Sequence, residues 1–324
     1  MAREFLYLVQ ESAFKTPVAS PVVGTSSFYI RLDGGNAFTM RPRPVMVNVP
    51  YGGGVAIDAF RVADKLELRG RLQTKLYAGN LSKFLLQWAA QTINAGQTSP
   101  WTTTEPAGDL PSVTCYHAIQ RADGSIKRRA YYGTKVDGWT LEISEDSTIG
   151  TLSLDLSAAQ PAGVSFGGTT TSDVNSTTFP APTDAQLPSN PYVFINASGN
   201  LTIGSARTQF SSVRVGSRNA LARRFFSFPF AQLLRFVGRQ TTLDANHYYL
   251  ASPDDRATYE SMAVQACSLV LNNGSNSATI TLNAANVITS VEDQLPLNDL
   301  YTQQISVANQ WDNSAGSDLA LSFT

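Results

Sequence analysis

The sequence predicts a mainly β fold with a minor α component, arranged as two tandem β-rich units that each carry a helix. Three observations support this. Apolar residues alternate with polar ones in many short segments, the period of a half-buried strand. The order of these segments in the first half recurs in the second. Between the halves, residues 157–191 are rich in Gly, Ser, Thr, Pro and Asn, which supply turns and solvated backbone rather than surface to bury. With 324 residues, 43% hydrophobic and 15% charged, the chain can fill two cores of the common size of about 100–150 residues. We therefore expect a first unit over 1–160, a linker over 161–190 and a second unit over 191–324.

The clearest strand is 65–75, where Leu66, Leu68, Gly70 and Leu72 alternate with Glu67, Arg69, Arg71 and Gln73. A helix follows, with Asn80 as N-cap, Leu81, Phe84, Leu85 and Trp88 at helical spacing, and Gly96 as the stop. Segments 113–120 and 127–132 flank Asp123-Gly124, a hairpin signal because Gly accepts the positive φ of a tight primed turn. Strands over 138–144 and 151–156 close the first half.

In the second half, residues 192–200 resemble 28–36, Val213-Arg-Val-Gly stands for Val47-Asn-Val-Pro, and Val237-Gly-Arg-Gln-Thr-Thr-Leu answers Arg69-Gly-Arg-Leu-Gln-Thr-Lys-Leu. A short helix begins near Pro253, where Asp254 and Asp255 suit the positive end of the helix dipole. Strands over 267–271 and 278–282 flank an Asn272-Asn-Gly-Ser turn, and terminal strands lie at 303–307 and 319–323. Each half also holds a long segment, 42–64 and 217–232, that is expected as a loop, ordered mainly against a partner.

Lys plus Arg (24) nearly balances Asp plus Glu (25), so no global field draws the chain to nucleic acid or a membrane. No apolar run approaches the roughly 20 residues of a membrane span. The charge is uneven locally. Residues 188–243 contain no acid but hold Arg207, Arg214, Arg218, Arg223, Arg224, Arg235 and Arg239, while Glu142, Glu145, Asp146, Asp254, Asp255, Glu292 and Asp293 lie elsewhere. This predicts that part of the arginine-rich segment contacts an acidic face of a neighbouring subunit or ring.

Catalytic patterns are weak. Cys115 and His117 share a strand face without a protease signature around them, Gly52-Gly53-Gly54 lacks the Lys-Ser/Thr of a phosphate loop, and the two cysteines have no metal-ligand spacing. We expect no enzyme, no cofactor and no metal. A β-sandwich carbohydrate hydrolase would need two carboxylates about 5–10 Å apart across a cleft, and no pair stands out.

The order of elements resembles the tail tube proteins of long-tailed bacteriophages, in the form with a duplicated tube domain. Gln10-Glu-Ser-Ala-Phe-Lys-Thr-Pro is similar to the Lys-Glu-Ser-x-x-Gly-Thr-Pro opening of many such proteins, with Lys15 where they usually carry Gly. Phe236-Val-Gly-Arg-Gln-Thr-Thr-Leu before a helix is the second point of likeness. The resemblance implies two tube-type β-sandwiches whose strands join those of neighbours in a ring-shaped barrel, three chains forming a pseudo-hexameric ring. Rings would stack into the conduit for genome ejection, with contact candidates at Pro50, Tyr51, Gly52, Gly53, Gly54, Arg218, Arg223, Arg224, Phe225 and Phe226. It also implies a place in the virion tail after assembly in the host cytoplasm. The implied partners are further copies of the chain, a tape measure protein, a tail terminator and, transiently, DNA without sequence specificity; no membrane is implied. The alternative is a receptor- or glycan-binding tail or baseplate protein, for which exposed aromatics and Asn/Asp loops would also serve.

Overall fold

A computed structural model describes residues 3–49, 60–90, 101–102, 110–120, 126–145, 147–162, 165–166, 169–170, 182–188, 200–207, 210–226, 228–248, 255–272, 276–294, 301–310 and 318–323. The chain is mainly β, with a large antiparallel sheet and two helices among these residues. In the first half the strands of the repeat are β1 (Arg3–Ala13), β2 (Ser27–Arg31), β3 (Ala37–Val49) and β4 (Phe60–Lys75), then helix α1 (Asn80–Ala90), then β5 (Val113–Gln120), β6 (Ile126–Ser144), β7 (Ser147–Ala158) and β8 (Gln160–Pro161); two-residue strands at Thr16–Pro17 and Trp101–Thr102 stand outside it. In the second they are β9 (Leu201–Ile203), β10 (Ser205–Arg207), β11 (Phe210–Arg224) and β12 (Leu233–Tyr248), then α2 (Asp255–Glu260), then β13 (Val264–Asn272), β14 (Ser277–Gln294), β15 (Thr302–Gln310) and β16 (Leu319–Phe323).

The pairings repeat as well as the order. In the first half β2 pairs β1, β1 pairs β5, β5 pairs β6 and β6 pairs β8, while β3, β4, β7 and β6 pair in that sequence. Each of these seven pairings has its counterpart eight strands later. Irregularities repeat too. An extra residue interrupts β4 between Ala63 and Lys65 and β12 between Phe236 and Gly238, and another interrupts β6 between Val136 and Gly138 and β14 between Ile288 and Ser290. A bulge bends a strand and fixes its register, so matched bulges give a residue-by-residue equivalence. Met40 corresponds to Val215, Gly70 to Leu243, Gly138 to Ser290 and Leu154 to Ile305.

That equivalence corrects the one expected from local sequence likeness. Val213 corresponds to Phe38, not Val47, and Gly238 to Lys65, five residues from Gly70. The segment 192–199 lies outside the described residues. The long segments also differ from expectation, because β3 runs on through Pro42 to Val49 and β11 through Ser217 to Arg224. Residues 60–67 and 233–240 pair with β3 and β11 and extend two hairpin ribbons. Pro42 and Pro44 fit there because β3 has a strand partner on one side only among the described residues, and an edge strand tolerates residues without an N–H.

Core positions follow the pleat. Leu68, Leu72, Leu152, Leu154, Leu156, Val213, Val215, Leu243, Ile305 and Val307 are buried on one face of the long strands. They belong to a single apolar cluster that runs through both halves, from Leu6 and Leu8 to Leu319 and Leu321. Strand β1 is buried on both faces, since Phe5, Tyr7 and Val9 join a second cluster where Tyr7 stacks on Tyr29 with centroids 4.3 Å apart. Ala162 and Leu187, from the stretch between the halves, pack against this second cluster. Helix α1 buries Leu81, Phe84, Leu85 and Trp88 as its spacing predicts, and Phe84 lies 4.7 Å from Phe28.

Candidate functional site

The two halves meet edge to edge. Strand β6 of the first pairs antiparallel with β11 of the second, from Ser144 opposite Ser212 to Gly138 opposite Arg218, with Glu142 directly across from Arg214. The result is an eight-stranded run in the order β3, β4, β7, β6, β11, β12, β15, β14. One face is the apolar core. The other carries Thr39, Arg41, Arg43, Arg71, Asp155, Glu142, Arg214, Arg218, Gln240 and Asp244, all exposed or half-exposed. At the junction this polar face holds a cleft of about 480 Å3, where Arg214 and Arg218 from one half meet Asp137 and Asp155 from the other.

Among the eight strands, β3 and the stretch Ile288–Gln294 of β14 each have a strand partner on one side only among the described residues. They stand at opposite ends of the run. Open sheet margins are templates for further pairing unless guarded, and Pro42 and Pro44 remove donors from one of them.

Side chains reinforce the junction. Asp137 accepts hydrogen bonds from the Leu221 N–H at 3.2 Å and from Arg223 Nη2 at 2.6 Å, and Arg223 also donates to Ser157 Oγ at 2.6 Å. Buried Asn219 donates to the Ala89 and Val136 carbonyls, and Arg239 to that of Ala90, so the C-terminus of α1 is capped from the other half. Lys135, almost fully buried, donates to the Leu234 carbonyl at 2.7 Å and lies over the Phe14 ring.

The predicted contact residues separate accordingly. Pro50, Tyr51, Gly52, Gly53 and Gly54 lie outside the described residues. Arg218 is exposed on the polar face, and Arg224, which ends β11, is exposed as well. Arg223 is already held within the chain by Asp137 and Ser157. Phe225 is half-buried beneath Lys65 Nζ, and Phe226, 69% exposed with φ 50°, marks the hairpin tip. Much of the arginine-rich segment finds its acids inside the molecule: Arg207 with Asp255, Arg223 with Asp137 and Arg239 with Asp318. Sequence separation hides these pairs, which span 48, 86 and 79 positions.

Several titratable groups are bound up in structure. Cys115 and Cys267 each follow a register shift, where β5 faces one extra residue of β6 and β13 two extra residues of β14; both are buried, and desolvation pushes each thiol up to about 12. A thiol so raised is a poor nucleophile. His117 Nε2 lies 2.6 Å from Glu4 Oε1. Asp255 stands in the first turn of α2, as expected, and is buried there. Its carboxylate takes two hydrogen bonds from Arg207, at 2.6 and 2.9 Å, and lies 3.2 Å from His247 Nε2.

Burial holds the His247 imidazole below its ordinary value, with the Arg207 charge acting the same way and Asp255 against it. The unfolded chain then takes up this proton first, at about pH 6.5, so the contribution is present above that pH and is lost as pH falls toward the lower folded value. Urea midpoints at pH 7.5 and 5.5 are expected to fall less in His247→Gln than in the parent; equal falls would contradict this.

Glu11 explains the N-terminal motif. Its buried carboxylate accepts from the N–H groups of Lys15 and Gly133 and from the hydroxyls of Ser112 and Thr114. Lys15 has φ 69°, a left-handed conformation that favours Gly. No protein-family model matches the chain, and no curated protein matches it.

Proposed function

We propose that this chain is a structural subunit of a phage tail tube, in which three copies close a ring through their sheet edges and rings stack into a conduit for the genome. One observation carries the reading. The seven pairings of the first half described above recur in the second, but β6–β11 has no counterpart among the described residues, since its equivalent would join β14 to a β3 that another molecule would supply. Such a head-to-tail contact generates a ring when its rotation closes. A polar sheet face of mixed charge suits a lumen that must release DNA, because many phosphate contacts of one sign would retain it.

The hairpin tip at Phe226 is available for contact between rings, since an exposed large apolar side chain favours burial on association. By resemblance, the tube would end on a terminator and surround a tape measure protein within the virion. Sedimentation over a hundredfold concentration range tests the reading: growth of large species with concentration supports it. A chain that stays monomeric while retaining sugar affinity would replace it with receptor binding.

A further inference from the structure

We propose that β14 of one chain pairs antiparallel with β3 of a second copy in one register, Ser290 opposite Arg43, Val291 opposite Pro42, Glu292 opposite Arg41, Asp293 opposite Met40 and Gln294 opposite Thr39. The inference rests on the self-assembly reading and adds to it the residues that meet.

The register comes from the molecule's own junction. Matched bulges equate Gly138 to Ser290 and Thr140 to Glu292 on one side, and Arg218 to Arg43 and Gly216 to Arg41 on the other. Within the chain Gly138 faces Arg218 and Thr140 faces Gly216. Carrying that pairing to the open edges sets a carboxylate against a guanidinium where the internal junction has Thr against Gly. Arg41 and Glu292 are both exposed, and neither makes an ion pair among the described residues.

The internal junction has its own charged pair one step away, Glu142 across from Arg214, where the intermolecular one has Gln294 across from Thr39. Each junction thus holds one opposed pair at a different rung, so a strand edge offered to the wrong partner loses the match. Two features oppose the pairing and are accommodated. Pro42 gives up one donor but keeps its carbonyl, and Asp293, which turns toward Met40, is already ion-paired with Arg256 at 2.9 Å and accepts a hydrogen bond from Gln303 at 2.8 Å.

Charge reversal tests the pair without disturbing the fold, since both side chains are exposed; unchanged circular dichroism and melting confirm that. Arg41→Glu and Glu292→Arg are each expected to raise the concentration for half-assembly about tenfold, from the penalty of like charges directly opposed, and the double variant to restore it. Register is read with the Arg41→Cys/Glu292→Cys double variant, because the native thiols are buried. Oxidation should give a ladder of linked chains that neither single change gives. If the unaltered protein assembles but the reversals are silent, the register is wrong while the ring reading stands; the same follows if Glu292→Cys alone self-links, which marks a twofold contact. A protein that never assembles overturns both.

Discussion

Asp255→Ala is expected to lower the free energy of unfolding by about 3–5 kcal/mol, the range for removing one partner of a buried ion pair. Its carboxylate and the Arg207 guanidinium are 2% and 5% exposed, respectively, and share two hydrogen bonds. Removing the acid strands a cation in the core between β9 and α2, held among the described residues only by the Ile203 carbonyl. Arg207→Ala should cost a similar amount, leaving the carboxylate with His247 as its one partner among the described residues. The double change should cost little more than either single one, because no unpaired charge remains. Urea unfolding of the three variants checks this, and strictly additive losses would show that the pair is not coupled.

Gly70→Ala is the second large effect, at the upper end of the roughly 1–3 kcal/mol typical of overpacking. A Cβ on Gly70 would collide with the carbonyl oxygen of Thr39 and crowd Met40, both across the β3–β4 ladder. Backbone cannot rotate away as a side chain can, so β3 must shift. That displacement falls on the strand offered to the next molecule. The variant is therefore expected to melt lower and, even where folded, to assemble less well. Ala at Gly238, where an added Cβ meets nothing within 4 Å, is the matched control. Equal effects at the two positions would contradict the argument.

Local periodicity made the strands and α1 legible. Leu66, Leu68 and Leu72 against Glu67, Arg69 and Arg71 specify β4, and Leu81, Phe84, Leu85 and Trp88 specify the buried stripe of α1. The repeat was visible as an order of elements but not as a register. Equivalent positions keep only their parity toward the core, as Leu72 and Ala245 or Trp139 and Val291 illustrate, so matching the Gly-Arg pairs misplaced the second half by five residues. Pro42 and Ser217 suggested loops because strand propensity cannot distinguish an edge from a break. The junction itself was invisible, since Asp137 and Arg223 acquire meaning only once β6 lies beside β11.

Electron microscopy of the purified protein, negatively stained at rising concentration, tests the central proposal most directly. Hollow tubes or rings whose averages show three repeats, each with two lobes, are the predicted result. Discrete single particles at every concentration would contradict it.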